Sequence, residues 1–572
     1  GMIIIGMILL VILTTGIIYR SFSAMLWSVL IMVFSLVWTM GTIGWSGVVM
    51  PDLIIIVVFF VITASISDAI HLLSGYVFFR QQNQSHQDAL RSVLKKSGLA
   101  CLITSVTTAV GFSSMLFVPI VSMQRIGGAT SVGIIFAFFL AVGMLPLMLD
   151  IWNPAPKILK KAPPNEPVKL HLLQNLLRKI ETVGINRPVF TIIIFFGLMM
   201  ILATGINKIR IESSNIEILR PDTTIRKAFD IADEHMAGTD SLEILVDTGK
   251  EDGMKDPQVL NLMETLQKKI ETDFKETVSS TYSIADVTKD AYQALRNDAP
   301  EAYIIPQSPE VLSQTLFLFD NADPEDRREL VSDDYRVGRI SVFCESLRTS
   351  AGMKLIDSVE QFSGEKLKGL YVDYPDLTIT MTGSVALRMK MYHFISQSQL
   401  ISFGITFCII SLVLLLVFGS VKLGLLAIVP NIFPIVTVAG LMGYLNIPLD
   451  IHTLLVVPIV IGVAVDDTIH FLTHFQMERQ QRADTRTAII YTFREVGQAI
   501  LFTSIILSIG FLMFISSKNM GFVYFGILNA VAITVAMFAD LFLLPAILIK
   551  HFPSKSKQSG QSIEMTPKEA TL

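Results

Sequence analysis

Displacing the sequence by 399 residues lays one apolar half of the chain over another without a gap. Ser67-Asp-Ala-Ile-His71 then meets Asp466-Asp-Thr-Ile-His470, Thr104-Ser105 meets Thr503-Ser504, and Gly111-Phe112 meets Gly510-Phe511. Gly127 meets Gly526, Leu145-Pro146 meets Leu544-Pro545, and Tyr19-Arg-Ser21 meets Phe418-Gly-Ser420. A single offset kept through so many polar, glycine and proline positions is an internal repeat, and it demands two halves of one architecture. Many secondary transporters are built from such halves, with their working site at the interface between the repeats. Gly1 corresponds to Leu400 under this offset. The first half therefore has nothing to match residues 188–399, and the native reading frame is expected to extend upstream through a further helix and a second outside domain.

The halves are too apolar for water. Mean hydropathy is +0.58, with 52% hydrophobic and 16% charged residues, and several runs exceed the ~18 residues that read as a membrane helix. In lipid a chain must satisfy its own backbone, so these runs are expected to be helices. Eleven are expected, at about 1–18, 22–44, 52–79, 98–117, 125–151, 188–206, 396–418, 422–445, 451–474, 496–516 and 521–549. The formal charge of −4 hides a split: residues 207–395 carry 34 acids and 22 bases, a net −12, and the remainder is +8. Basic loops at 79–97, 152–187 and 475–497 alternate with loops nearly free of Lys and Arg. The positive-inside rule puts the basic loops in the cytoplasm and the acidic domain outside. In a bacterium with two membranes this means a multi-pass inner-membrane protein, with residues 207–395 periplasmic and the C-terminus cytoplasmic.

The expected order is a first membrane bundle at 1–151, a cytoplasmic linker at 152–187, a membrane helix at 188–206, the outside domain at 207–395, a second bundle at 396–549 and a polar, disordered tail at 550–572. Within the linker, 170–181 has the amphipathic pattern of a helix lying along the membrane face or packed on the bundle ends. In the outside domain, 208–212, 242–246 and 377–381 read as strands, and 223–236, 257–272 and 350–368 as helices. Two βαβ-like passes point to a ferredoxin-like α/β unit. Cys101, Cys344 and Cys408 form no disulfide framework or metal-ligand spacing. Nothing points to nucleic acid, a metal or a cofactor. His235 and His393 are isolated and read as surface or packing residues.

The chemistry lies in the run from Ile461 to His470, which places Asp466 and Asp467 in the middle of an apolar helix with His470 one turn later. A carboxylate at bilayer depth costs at least ~2.5–3.5 kcal/mol, so intramembrane acids mark ion pathways by default. A helix brings either acid to the face of His470 while the two acids splay by ~100°. The first half answers with Ser67, Asp68 and His71, so the halves are unequal in charge. Imidazole titrates near neutrality and suits proton transfer. Thr468, Thr503 and Ser504, with Thr104 and Ser105, supply hydroxyls that either support the acids or only pack helices. Asp540 in the last helix either joins the relay or faces water inside the bundle. Asp52 and Asp450 begin helices, which explains them without transport. Arg20 and Lys422 read as topology anchors.

The repeat, the Gly462-Val-Ala-Val-Asp466-Asp467 run, the Pro430-Asn-Ile-Phe-Pro434 segment, the Leu544-Pro545 ending and the weaker cue Leu219-Arg-Pro-Asp222 together resemble the resistance–nodulation–division (RND) superfamily. The likeness is to its lipid-exporter branch, with the mycobacterial large membrane proteins (MMPL), the hopanoid transporters and the sterol-sensing Patched-like proteins. That resemblance implies a polytopic α-helical membrane protein of two pseudo-repeated bundles, with a porter-like α/β domain outside. Superfamily members have twelve membrane helices and two outside domains, against eleven and one here. It implies a proton-driven exporter of a lipid or other hydrophobic molecule, not an enzyme, needing no cofactor beyond the proton gradient. Asp466, Asp467 and Asp68 would carry protons, joined by His470 and His71. The alternative is a sterol-sensing-like, lipid-binding regulatory protein in which the polar cluster is structural. A homo-oligomer or a periplasmic partner stays open.

Overall fold

The computed structural model describes residues 2–51, 53–118, 120–153, 180, 184–210, 212, 216–320, 324–366, 374–481 and 484–552. Each expected apolar run is helical: α1 (Met2–Tyr19), α2 (Phe22–Ser46), α3 (Ile54–Gln81), α4 (His86–Phe117), α5 (Val121–Ile151), α6 (Pro188–Ile206), α7 (Gly383–Phe418), α8 (Val421–Tyr444), α9 (Thr453–Gln481), α10 (Thr485–Ser516) and α11 (Met520–His551). Among the described residues nine of these are long and apolar enough to cross a bilayer, and the other two contain the shorter apolar helices Ile4–Tyr19 and Phe403–Phe418. Helices α3 and α9 are the most enclosed, with 78% and 83% of their apolar windows buried, against 11% for α6. These two therefore form the centre of the molecule, and both carry the candidate acids.

The 399-residue repeat is kept in backbone detail. A π-helical turn at Leu94–Gly98 recurs at Phe493–Gly497, and a 3-10 turn at Ser114–Phe117 recurs at Met513–Ser516. The reversal between α1 and α2 passes through Arg20 at φ 44°, and that between α7 and α8 through Gly419 at φ 56°. A left-handed conformation costs a non-glycine residue roughly 1–2 kcal/mol, so the second half uses the unstrained residue and the first carries the strain. One departure stands out: α11 contains a π-helical turn at Ala539–Leu543, whereas the corresponding part of α5 is regular α-helix. Such turns concentrate at functional sites, and this one holds Asp540.

The extramembrane domain is built on β1 (Asp240–Asp247), β2 (Val278–Ser283), β3 (Val337–Cys344) and β4 (Thr378–Thr382), in the order β2-β3-β1-β4 with every neighbour antiparallel. Helix Pro257–Asp273 crosses from β1 to β2 and Thr349–Lys366 from β3 to β4. This is the ferredoxin-like split βαβ arrangement expected from the sequence. Leu242, Ile244 and Val246 alternate into the core with Ile340 and Val342, against Val259, Met263 and Leu266 of one helix and Leu355, Ile356 and Val359 of the other. Each buried aliphatic side chain contributes roughly 1.5–3 kcal/mol.

Three details differ from expectation. Residues 208–210 are not a strand: the Arg210 carbonyl accepts from the Leu449 amide at 2.8 Å, so this stretch pairs with the α8–α9 connection instead of a sheet. Strands β2 and β3 were missed because Val278–Ser283 is mostly polar and Val337–Cys344 is broken by Gly338 and Arg339. Finally, α7 starts at Gly383 and runs 36 residues from sheet to membrane, straight through the expected boundary at 395. The Leu219-Arg-Pro-Asp222 segment clasps the α10–α11 connection. The Arg220 amide donates to the Lys518 carbonyl at 3.1 Å, and the Met520 amide to that of Ile218 at 2.6 Å. The linker helix at 170–181 (apart from Ile180), Asp52 and the tail beyond 552 lie outside the described residues. Asp450 accepts from the amides of His452 and Thr453 at 3.0 and 2.7 Å, a helix-start role as expected.

Candidate functional site on the pseudo-two-fold axis

Helices α3 and α9 meet face to face, and residues at equivalent repeat positions touch each other. The Ser67 hydroxyl donates to Asp466 Oδ2 at 2.9 Å. The rings of His71 and His470 stack with centroids 3.7 Å apart and planes 9° from parallel. A residue can touch its own counterpart only on the axis that relates the halves, so these four groups line it.

Off the axis the halves repeat a second contact. The Ser504 hydroxyl donates to Asp467 Oδ2 at 2.8 Å, and Ser105 to Asp68 Oδ2 at 3.3 Å. Both acids are buried, Asp467 at 8% and Asp68 at 4% exposure. Asp466 faces a cavity of about 40 Å³ lined by Ser67, Asp68, Thr104, Ser105, Thr108 and Val463, among others. One water needs roughly 10–15 Å³ by this measure, so there is space for a few. The Thr108 hydroxyl spans the seam to the Gly462 carbonyl at 3.0 Å. Thr104 and Thr503 turn their hydroxyls back onto their own helices, Thr104 to Cys101 and Thr503 to Ala499, and Thr503 also stands beside the Asp467 carboxyl.

A third cluster exists only in the second half. The Thr468 hydroxyl donates to Asp540 Oδ1 at 2.5 Å and accepts from the Asn431 amide at 3.2 Å. Asp540 thus sits inside the bundle, tied to α9, and does not face open water. Asn431 joins the site from within the Pro430–Pro434 segment that carries the family resemblance, a residue the sequence pattern alone does not mark as part of it.

Asp466 and His470 stand close together at the axis but are not hydrogen-bonded to one another. His470 Nε2 lies 3.5 Å from Asp466 Oδ1, and neither His470 nitrogen nor that carboxylate oxygen has a hydrogen-bond partner among the described residues. A buried polar atom left unpaired costs roughly 1–3 kcal/mol, a cost that structural packing alone does not require.

The sequence reading also missed the continuation of this line. Asp466, His470, His474 and Glu478 follow one another at four-residue steps on α9, one face of the helix. The regular spacing was the available signal. His474 Nδ1 lies 3.3 Å from Glu495 Oε2. Lys96 donates to Glu495 at 3.2 Å and to Glu478 at 3.1 Å. Lys96 and Glu495 are again repeat counterparts, each in the middle of its π-helical turn.

The MMPL family profile matches residues 1–168 and 217–558. The chain is also 22% identical over 392 residues to a membrane protein of Methanocaldococcus jannaschii, an overlap covering 66% of this chain and 94% of that protein. With a multi-pass helical architecture and a profile match over most of its length, the chain belongs to the MMPL family, whose members are membrane transporters and not enzymes.

Proposed function

We propose that the protein is an exporter of a lipid or other hydrophobic molecule, driven by the proton-motive force. The observation that carries this reading is the contact of Asp466 with Ser67, its own repeat counterpart, beside the stacked His71–His470 pair. Any tilt of one bundle against the other acts first on groups along the axis. It would pull the Ser67 hydroxyl from Asp466 and change the solvation of that carboxylate, and with it the affinity for a proton. Asp466 takes up the proton through the small cavity and passes it to His470 Nε2. Asp467 and Asp68, each held by a serine, are the neighbouring acceptors, and Asp540 with Thr468 gives the second bundle a further one. In this reading the basic loops face the cytoplasm, and the ferredoxin-like domain receives the exported molecule on the periplasmic side of the inner membrane.

The test is export of acetate-labelled lipid from cells expressing the protein, with and without a protonophore. Asp466→Asn and Asp467→Asn should each abolish the protonophore-sensitive fraction at unchanged protein level. Export that survives both substitutions removes the relay. A wild type that exports no labelled lipid favours the regulatory, sterol-sensing-like reading instead.

A further inference from the structure

We propose that His474, Glu495 and Lys96, with Glu478, form a second proton-binding site, the last station of the path that begins at Asp466. This rests on the relay reading and extends it to residues beyond the acid pair. Asp466, His470, His474 and Glu478 lie in line along one face of α9. From Asp466 to Glu478 is twelve residues of α9, about 18 Å at 1.5 Å per residue, more than half of a ~30 Å hydrocarbon core. The first half offers no such line: at the matching positions α3 carries Ser67, His71, Gly75 and Phe79. The four-residue line of titratable groups therefore belongs to α9, and Lys96 of α4 and Glu495 of α10 join it at its end.

The line ends at an opening. A cavity of about 780 Å³ lies between the ends of α3, α4, α9 and α10, with Lys96, Glu478, Gln481, Tyr491 and Glu495 among its walls. It sits at the basic-loop end, whereas the 40 Å³ cavity at Asp466 lies deeper in the seam. Between them stand His470 and His474, both fully enclosed.

The charges favour a labile proton there. The Glu495 side chain is 2% exposed, and Lys96 divides one positive charge between it and Glu478. A buried carboxylate so served gains from a second cation, and the His474 ring at 3.3 Å supplies one when protonated. The titratable groups facing His474 are His470 and Glu478 from α9, His71 from α3, Lys96 from α4 and Glu495 from α10. The His470 ring gives up its proton to Nε2 of His474, the imidazolium so formed loses its Nδ1 proton to a Glu495 oxygen, and the neutral ring, left protonated on Nε2, turns over or exchanges tautomers before the next transfer. Glu495 then loses its proton to water in the wide cavity. Because Lys96 and Glu495 are repeat counterparts on the axis, the motion that parts Ser67 from Asp466 also loads this bridge.

The experiment uses the full chain, labelled with ring-15N histidine, in lipid nanodiscs. The His474 signal is assigned by its loss in His474→Gln, and the share of doubly protonated ring is read at one pH at which the wild type is partly titrated. Glu495→Gln should cut the ratio of protonated to neutral ring about tenfold or more, one pH unit of affinity, and Lys96→Met should raise it. In the export assay Glu495→Gln should lose most of the protonophore-sensitive fraction. A ring ratio unchanged in both variants, or wild-type export in Glu495→Gln, overturns the proposal. The two readings fail separately: Asp466→Asn can abolish export while His474 stays indifferent to Glu495, which sinks only the second site. A responsive His474 with export surviving in Asp466→Asn and Asp467→Asn sinks the relay.

Discussion

His71 and His470 stack ring on ring at 3.7 Å, and each is the other's counterpart under the 399-residue repeat. Two imidazolium charges at that separation repel by about 4 kcal/mol at an effective dielectric of about 20. The pair therefore carries at most one positive charge, and in the relay reading it serves as a single station on the axis. Its members are unequal, because only His470 continues through His474 to Glu478 on its own helix.

That inequality gives the first prediction. His470→Gln should lower protonophore-sensitive export by roughly a hundredfold, the low end of what a positioned proton carrier contributes. His71→Gln should cost much less, since the α9 line stays whole. Equal losses in the two variants, at equal protein level, would mean that the stack is a packing contact.

The second concerns Ser67, where the first half has a hydroxyl and the second an acid. In Ser67→Asp a second carboxylate would stand close to Asp466, given that the serine oxygen is 2.9 Å away. Two carboxylates at such a distance share one proton and release it only at higher pH. The pH dependence of export should change, measured as rate against external pH. An unmoved profile would separate Ser67 from the proton chemistry.

Much of this was legible in the sequence. The repeat, the eleven helices and the Asp466–Asp467–His470 grouping all follow from patterns that local physics fixes. Apolar length dictates helices, and acids within them stand out. What escaped was set by tertiary contact. Lys96 and Glu495 looked like ordinary loop charges until the π-helical turns carried them to the axis. The alternation at 208–212 imitated a strand, yet Arg210 bonds a connection between membrane helices. Strands β2 and β3, with polar or glycine-broken patterns, are recognisable only through their sheet neighbours.

The third prediction uses Cys344, buried on β3. Burial pushes its thiol up to about 12, with the nearby Asp240 carboxylate adding to the effect. The thiolate is the reactive form, so at pH 8 almost none of this thiol is ionised. With Cys101 and Cys408 changed to Ser, Cys344 should resist iodoacetamide in the folded protein and react once the domain is denatured. Rapid labelling of the native chain, followed by mass spectrometry, would show that β3 opens readily.

The last prediction concerns the seam between α6 and α8. Gly205, Gly440 and Gly443 let the two backbones approach, and a methyl at Gly443 would overlap the Gly205 carbonyl. Close packing through small residues is the main source of attraction between helices in lipid, where no hydrophobic driving force separates them from the acyl chains. Helix α6 is otherwise exposed or half-buried, with Thr191 and Gly205 its buried residues and Phe195 against Phe433. Its anchorage therefore rests heavily on this contact and on the Tyr444 hydroxyl, which donates to the Ile201 carbonyl at 3.0 Å. Gly443→Ala should force α6 outward and lower the thermal midpoint of the detergent-solubilised protein by several degrees. Gly404→Ala, at a position where an added methyl meets open space, should leave it unchanged. Equal midpoints for both variants would show that the close glycine contact does not anchor α6.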